Sequence, residues 1–176
     1  MHPALLAVAL LLAAPAAFAQ QARQQAAPQA TRMGEFQSWT AATTQENGQK
    51  VCYAFARARA IEGVPNREAR NVMLVVTHRP GSRDQVAVRA GYTFARNAEA
   101  RLFIGQTELP FYTNADMAFA RNGREVVAAL RGGRDALLRA PGPNGRGQSG
   151  DTFPLAGFSQ AYDAISRECP PAAPRR

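Results

Sequence analysis

The sequence predicts an all-β domain, a β-sandwich or barrel-like antiparallel arrangement with one short internal helix and a C-terminal helix. Three observations carry this expectation. Short runs of alternating or uniformly apolar residues recur between turn signals, the spacing of sandwiches and barrels. Two of those runs flank the turn Arg79-Pro80-Gly81-Ser82-Arg83-Asp84 and so form a hairpin. Near the C-terminus Phe158, Ala161, Tyr162 and Ile165 recur at helical spacing, with Ser159, Gln160, Asp163 and Arg167 on the opposite face.

Taken in order, residues 1–19 contain no Asp, Glu, Lys or Arg and hold an apolar run over residues 4–14. Ala17 and Ala19 offer the small side chains that signal peptidase admits, so residues 1–19 read as a signal peptide cleaved after Ala19. The run falls short of the roughly twenty apolar residues a membrane span needs. No Lys or Arg precedes it, which leaves the terminal amine to supply the positive charge. Residues 20–32 read as a disordered Gln/Ala-rich leader, 33–169 as the β-rich domain, and 170–176 as a disordered Pro/Arg tail whose prolines block helix and strand.

Inside the domain, Phe36, Gln37, Ser38, Trp39 and Thr40 alternate apolar and polar and are expected as one strand. Residues 51–55 form a dense apolar run around Cys52, and residues 71–77 a run that looks buried on both faces. After the Pro-Gly turn, Val86, Val88, Ala90 and Tyr92 alternate with Ala87, Arg89, Gly91 and Thr93. Further strands are expected at 101–104, 109–113 and 116–120, and a pair at 135–139 and 151–155 flanks a Gly/Pro loop at 141–150. Between them, Val126, Val127 and Leu130 mark a helix over 124–131, stopped by Gly132-Gly133.

Composition excludes several function classes. The chain has 176 residues, enough for one domain and too few for a multidomain enzyme. Two cysteines, Cys52 and Cys169, are too few for a disulfide-built miniprotein, and in an exported chain they are expected to be joined. Cys169 continues the apolar stripe of the last helix and so points inward; two buried free thiols are the alternative. With histidines only at His2 and His78, no four-ligand metal site is expected, and no cofactor either.

His78 alone would survive export, so any histidine catalysis rests on it. No G-x-S-x-G elbow occurs, and a lone histidine at a strand end beside Arg79 is more often hydrogen-bonded structure than a general base. Asp84 and Glu99 could pair as carboxylates only by meeting in space. A small periplasmic hydrolase, using His78 with an adjacent nucleophile or carboxylate, is the alternative function. The stretch Gly145-Arg146-Gly147-Gln148-Ser149-Gly150 looks like a phosphate loop but lacks the Lys-Ser/Thr and a following helix.

The net charge of +8, from 21 basic and 13 acidic residues, is nearly all arginine, with Lys50 as the single lysine. Arginine forks suit carboxylate and phosphate groups, so Arg79, Arg83 and Arg89 form a candidate anion-binding face. Fitting partners are anionic envelope components or an envelope or host protein; aromatics are not interleaved as nucleic-acid stacking requires, and nothing spans a membrane.

Several separated segments resemble one family. Thr77-His78-Arg79-Pro80, Val86-Ala87-Val88 and Ala90-Gly91-Tyr92-Thr93-Phe94 are similar to invasion-associated locus B (IalB) proteins, a family of exported alphaproteobacterial proteins. So are Gly145-Arg146-Gly147, Asp151-Thr152-Phe153 and Leu155-Ala156-Gly157-Phe158-Ser159, with a final helix ending at Cys169. Phe36-Gln37-Ser38-Trp39 and Val51-Cys52-Tyr53-Ala54 resemble the family's F-G-D-W element and its following cysteine strand, although Gln37-Ser38 replace Gly-Asp and no cysteine follows Trp39. The resemblance implies a compact exported β-domain with no catalytic residues or cofactor to carry over, and a family-level link to host-cell invasion. The expectation is therefore a periplasmic or secreted, non-enzymatic envelope or binding protein.

Overall fold

The computed structural model describes residues 29–172; the expected signal peptide, the expected leader up to residue 28 and residues 173–176 lie outside the described residues. Eleven strands form one antiparallel sheet, and two helices pack on it. The strands are β1 (Thr31–Phe36), β2 (Trp39–Glu46), β3 (Gln49–Arg57), β4 (Ala60–Glu62), β5 (Met73–Arg79), β6 (Ser82–Arg89), β7 (Glu99–Ile104), β8 (Thr107–Asn114), β9 (Met117–Ala120), β10 (Asp135–Pro141) and β11 (Gln148–Pro154). Helix α1 (Gly123–Gly132) follows β9, and α2 (Phe158–Glu168) follows β11.

The sheet order runs β1-β2-β3-β5-β6-β9-β8-β7-β10-β11-β4. Only Ala58 and Arg59 separate β3 from β4, and they hand one strand from one neighbour to another. Ala58 N–H donates to Val72 O at the β5 side (2.9 Å), and Arg59 N–H donates to Thr152 O of β11 (2.9 Å). The β3–β4 strand therefore belongs to both ends of the sheet and closes eight strands into a barrel-like ring. The β1–β2 hairpin extends from the free part of β3. It is tied to the end of β11 where Ser38 N–H meets Ala156 O (3.2 Å) and the Trp39 indole N–H meets Pro154 O (3.0 Å).

Alternation along the strands fills the inside of the ring. Cross-strand partners Ala54–Val76–Val86 and Ala56–Leu74–Val88–Ala118 are buried, as are Leu102, Leu109 and Leu138. Helix α2 lays Phe158, Ala161 and Ile165 on the inward face of β2 and β3, with the Phe158 ring edge-on to Trp39 at 4.8 Å. Helix α1 packs Val126, Val127 and Leu130 against the β6 side. The two helices stop one mouth of the ring.

The opposite mouth is closed by the β4–β5 connection, which carries Arg67 inward. The Arg67 guanidinium donates to Asp151 Oδ1 (2.7 Å), Ala90 O (3.1 Å) and Glu62 O (2.8 Å), and lies over the Tyr92 ring. Both members of this ion pair are almost wholly buried.

Three expectations change. Residues 36–40 are not one strand: a tight turn at Gln37-Ser38 ends β1 and starts β2, with Phe36 facing Trp39 across it. Gln37 takes φ 52°, the left-handed region that a tight hairpin turn usually fills with glycine or asparagine. Thr31 and Arg32, expected in the leader, pair with Thr43 and Ala42 in β1. The 58–72 stretch between β3 and β5 also contains a three-residue strand, β4, and a 3-10 turn at Ala69–Asn71 that periodicity did not mark.

Candidate functional site

The turn between β5 and β6, the start of α1 and the end of α2 converge at the helix-stopped mouth. They convergently line a groove of about 520 Å³. Its walls carry Lys50, Arg79, Arg83 and Arg124 against one carboxylate, Glu168, with Pro80-Gly81 and residues 169–172 between them. Each cation arrives by a different route. Arg79 ends β5, and Arg83 lies in β6 two residues past the Pro80-Gly81 turn. Arg124 sits in the first turn of α1, brought close because Gly123 approaches Asp84 O so tightly that a Cβ there would stand 1.7 Å from it.

The groove cations are unequally neutralised. Lys50 Nζ binds Glu168 Oε1 at 2.6 Å, and Arg79 Nε binds Glu46 Oε2 at 2.7 Å, which holds the Glu46 carboxyl below its ordinary value. Arg83 instead donates to the carbonyl of Cys169 and to Ser166 Oγ, neither of them a carboxylate. Arg124 is exposed and has no ion-pair or hydrogen-bond partner among the described residues. Two arginine charges therefore stand unopposed in one concavity, the condition in which an anion is attracted. A second depression, of about 550 Å³ beside the end of α1, carries the opposed charges of Arg134 and Asp135.

The structure brings Arg79 and Arg83 together but not Arg89. Arg89 lies at the other end of β6, about 20 Å along the strand from Arg83 at ~3.3 Å per residue, where it binds Asp116 at 3.0 Å. Arg124 and Lys50 were not foreseen; no local signal links them to residue 83, and only the packing of α1 and α2 does so.

The two cysteines are joined, Cys52 of β3 to Cys169 at the end of α2, with Cα atoms 6.0 Å apart. The bond pins the last helical turn to the sheet and places Cys169 in the groove wall.

His78 lies behind this wall, fully buried, with Cys52 as its cross-strand partner. Asp84 N–H donates to Nδ1 at 3.3 Å, and Nε2 stands 3.0 Å from Ser166 Oγ. An accepting Nδ1 leaves the ring proton on Nε2, which donates to Ser166. Burial, then the nearby Arg83 charge, holds the ring below its ordinary 6.5. The Asp84 carboxylate is 3.8 Å from Nδ1 and accepts instead from Tyr162 OH at 2.6 Å.

Serine, histidine and aspartate thus meet, yet with the polarity of a nucleophilic triad reversed. A general base must accept the serine proton at Nε2 while a carboxylate accepts from Nδ1. Here Ser166 Oγ receives hydrogen bonds from both His78 and Arg83. Glu99, the other carboxylate considered, binds Arg121 on β9's exit and does not share Asp84's partners. The 142–147 loop between β10 and β11 contains a 3-10 turn at Pro143–Gly145 and runs into a strand, without the helix a phosphate loop requires.

Comparison with known proteins gives two findings. The family model described as Invasion associated locus B (IalB) protein matches residues 39–166, from the first residue of β2 to the serine beside His78. Among solved structures, the crystal structure of invasion associated protein B from Bartonella henselae superposes with a TM-score of 0.57 at 16% identity, covering 77% of this chain and 95% of that one. No curated protein matches the chain.

Proposed function

Because the chain belongs to the invasion associated locus B family, we propose that it is an exported, non-enzymatic envelope protein that engages an anionic partner through the groove beside Cys169. The observation that carries this is the pair of unopposed arginines, Arg83 and Arg124, in one concavity with Lys50 and Arg79. A guanidinium already anchored by backbone, as Arg83 is, loses little further freedom when a phosphate or carboxylate arrives. Export rests on residues 1–19 and on the paired cysteines, and it predicts a mature protein beginning at Gln20. N-terminal sequencing of envelope material that still began at Met1 would count against export. Contribution to host-cell interaction is the family-level extension of this role.

The binding test uses vesicles containing phosphatidylglycerol. Retention should fall steeply with added salt, since surface electrostatics are screened within about 10 Å at 0.1 M. At about 1 kcal/mol per basic residue near a charged surface, Arg124→Ala should weaken binding roughly fivefold, and Arg83→Ala with Arg124→Ala further. Salt-insensitive retention, or equal retention of the variants, would refute the groove as the contact.

A second reading, hydrolysis at Ser166, is favoured by a single observation, the 3.0 Å approach of Ser166 Oγ to His78 Nε2. The reversed hydrogen-bond polarity argues for the structural role. Covalent labelling of Ser166 by a fluorophosphonate would restore the hydrolase.

A further inference from the structure

We propose that His78 tunes the groove: taking a proton on its ring tightens the groove's hold on an anion, so that binding strengthens as the surroundings acidify. This rests on the groove reading above. The link is Ser166, whose Oγ accepts from His78 Nε2 at 3.0 Å and from Arg83 Nη2 at 3.2 Å. Ring and guanidinium therefore converge on one oxygen, and Arg83 is one of the two groove arginines without a carboxylate.

The neutral ring uses both nitrogens, so a proton can enter only at Nδ1, where the Asp84 amide now points. A carboxylate acceptor for a new Nδ1–H is that of Asp84, 3.8 Å away and bonded to Tyr162 OH, and the Thr77 backbone also favours the protonated ring. The groups facing the ring are Arg83 and Asp84 from β6, Tyr162 and Ser166 from α2, Thr77 from its own strand, and the Cys52 disulfide from β3. Arg131 stacks on Tyr162 at 4.7 Å and is paired with Asp163. Of these, Arg83 is the positive charge that opposes protonation. An anion held by Arg83 offsets that charge and eases proton uptake; reciprocally, a protonated ring adds a positive charge behind the groove wall.

Sulfate is the probe, because it does not titrate between pH 5 and 8, with ionic strength held constant by chloride. Its affinity should rise about fivefold from pH 7.5 to 5.0, and His78→Gln, which retains a donor toward Ser166, should remove that rise. On the unaltered protein, the His78 ring signal in NMR should titrate at higher pH with sulfate than without it, a readout independent of whether the variant folds. A pH-independent affinity, the same rise in His78→Gln, or a ring midpoint unmoved by sulfate would each overturn the coupling. If Arg124→Ala weakens sulfate binding while affinity stays flat with pH, only the coupling fails. If Arg124→Ala leaves sulfate binding unchanged at every pH, the groove reading fails and the coupling with it.

Discussion

Arg67 and Asp151 show how one residue can hold a mouth of the ring shut. The pair is 1% and 0% exposed, and Asp151 Oδ2 has no hydrogen-bond partner among the described residues. Burial pushes the Asp151 carboxyl above its ordinary value, against the downward pull of the Arg67 charge and hydrogen bond. Removing one partner of a buried pair costs about 3–5 kcal/mol, whereas replacing both by apolar residues is often neutral. Arg67→Ala should therefore lower stability by that amount in denaturant unfolding, and Arg67→Met with Asp151→Leu should recover much of it. The sign with pH is also fixed. Without Arg67 the folded carboxyl rises further above its unfolded value of about 3.9, so the variant loses stability as pH climbs through that region. A variant whose deficit shrank with rising pH would show that Asp151 does not depend on Arg67.

Among the elements, α2 carries Glu168 to the groove wall and Ser166 to Arg83, and its entry is tightly constrained. Gly157 precedes it at φ 91°, and a Cβ there would stand 1.8 Å from Phe36 O in the β1–β2 turn. Gly157→Ala should cost more than about 1 kcal/mol, since alanine at positive φ is strained even before the clash; a thermal midpoint equal to that of the unaltered protein would show the turn yields freely. Helix α2 was legible in the sequence because its burial is one-sided: Phe158, Ala161 and Ile165 are buried where the stripe puts them. The β5–β6 hairpin was legible from Pro80-Gly81 for a similar reason, local turn chemistry between apolar runs. Strands β1 and β4 were not, because β1 is mostly exposed and β4 is three residues long, so neither has a buried face to impose a period. The turn at Gln37-Ser38 was hidden because its positive φ falls on glutamine. In the groove, Arg79 and Arg83 are neighbours across a turn and could be grouped by sequence. Arg124 and Lys50 reach them only through tertiary packing, which leaves no periodic trace.

At the scale of the whole molecule, ring closure gives the protein two unlike ends. One mouth is shut by a self-contained Arg67–Asp151 pair, which leaves no free charge to advertise. The other is stopped by two helices, locked by the Cys52–Cys169 bond, and presents cations in excess of carboxylates. The +8 of the chain is thus not spread evenly in its consequences. Several arginines on the ring are matched, as Arg89 is to Asp116, Arg101 to Glu108 and Arg121, just past β9, to Glu99, and exposed pairs of this kind contribute little to stability or attraction. On the proposed function, anions are met at the helical end. Amide chemical shifts recorded during a sulfate titration test it most directly. The predicted result is a set of shifts confined to residues 79–84, 123–125 and 166–172. Shifts centred instead on Arg89, Arg101 and Arg139, or scattered over the ring, would contradict it.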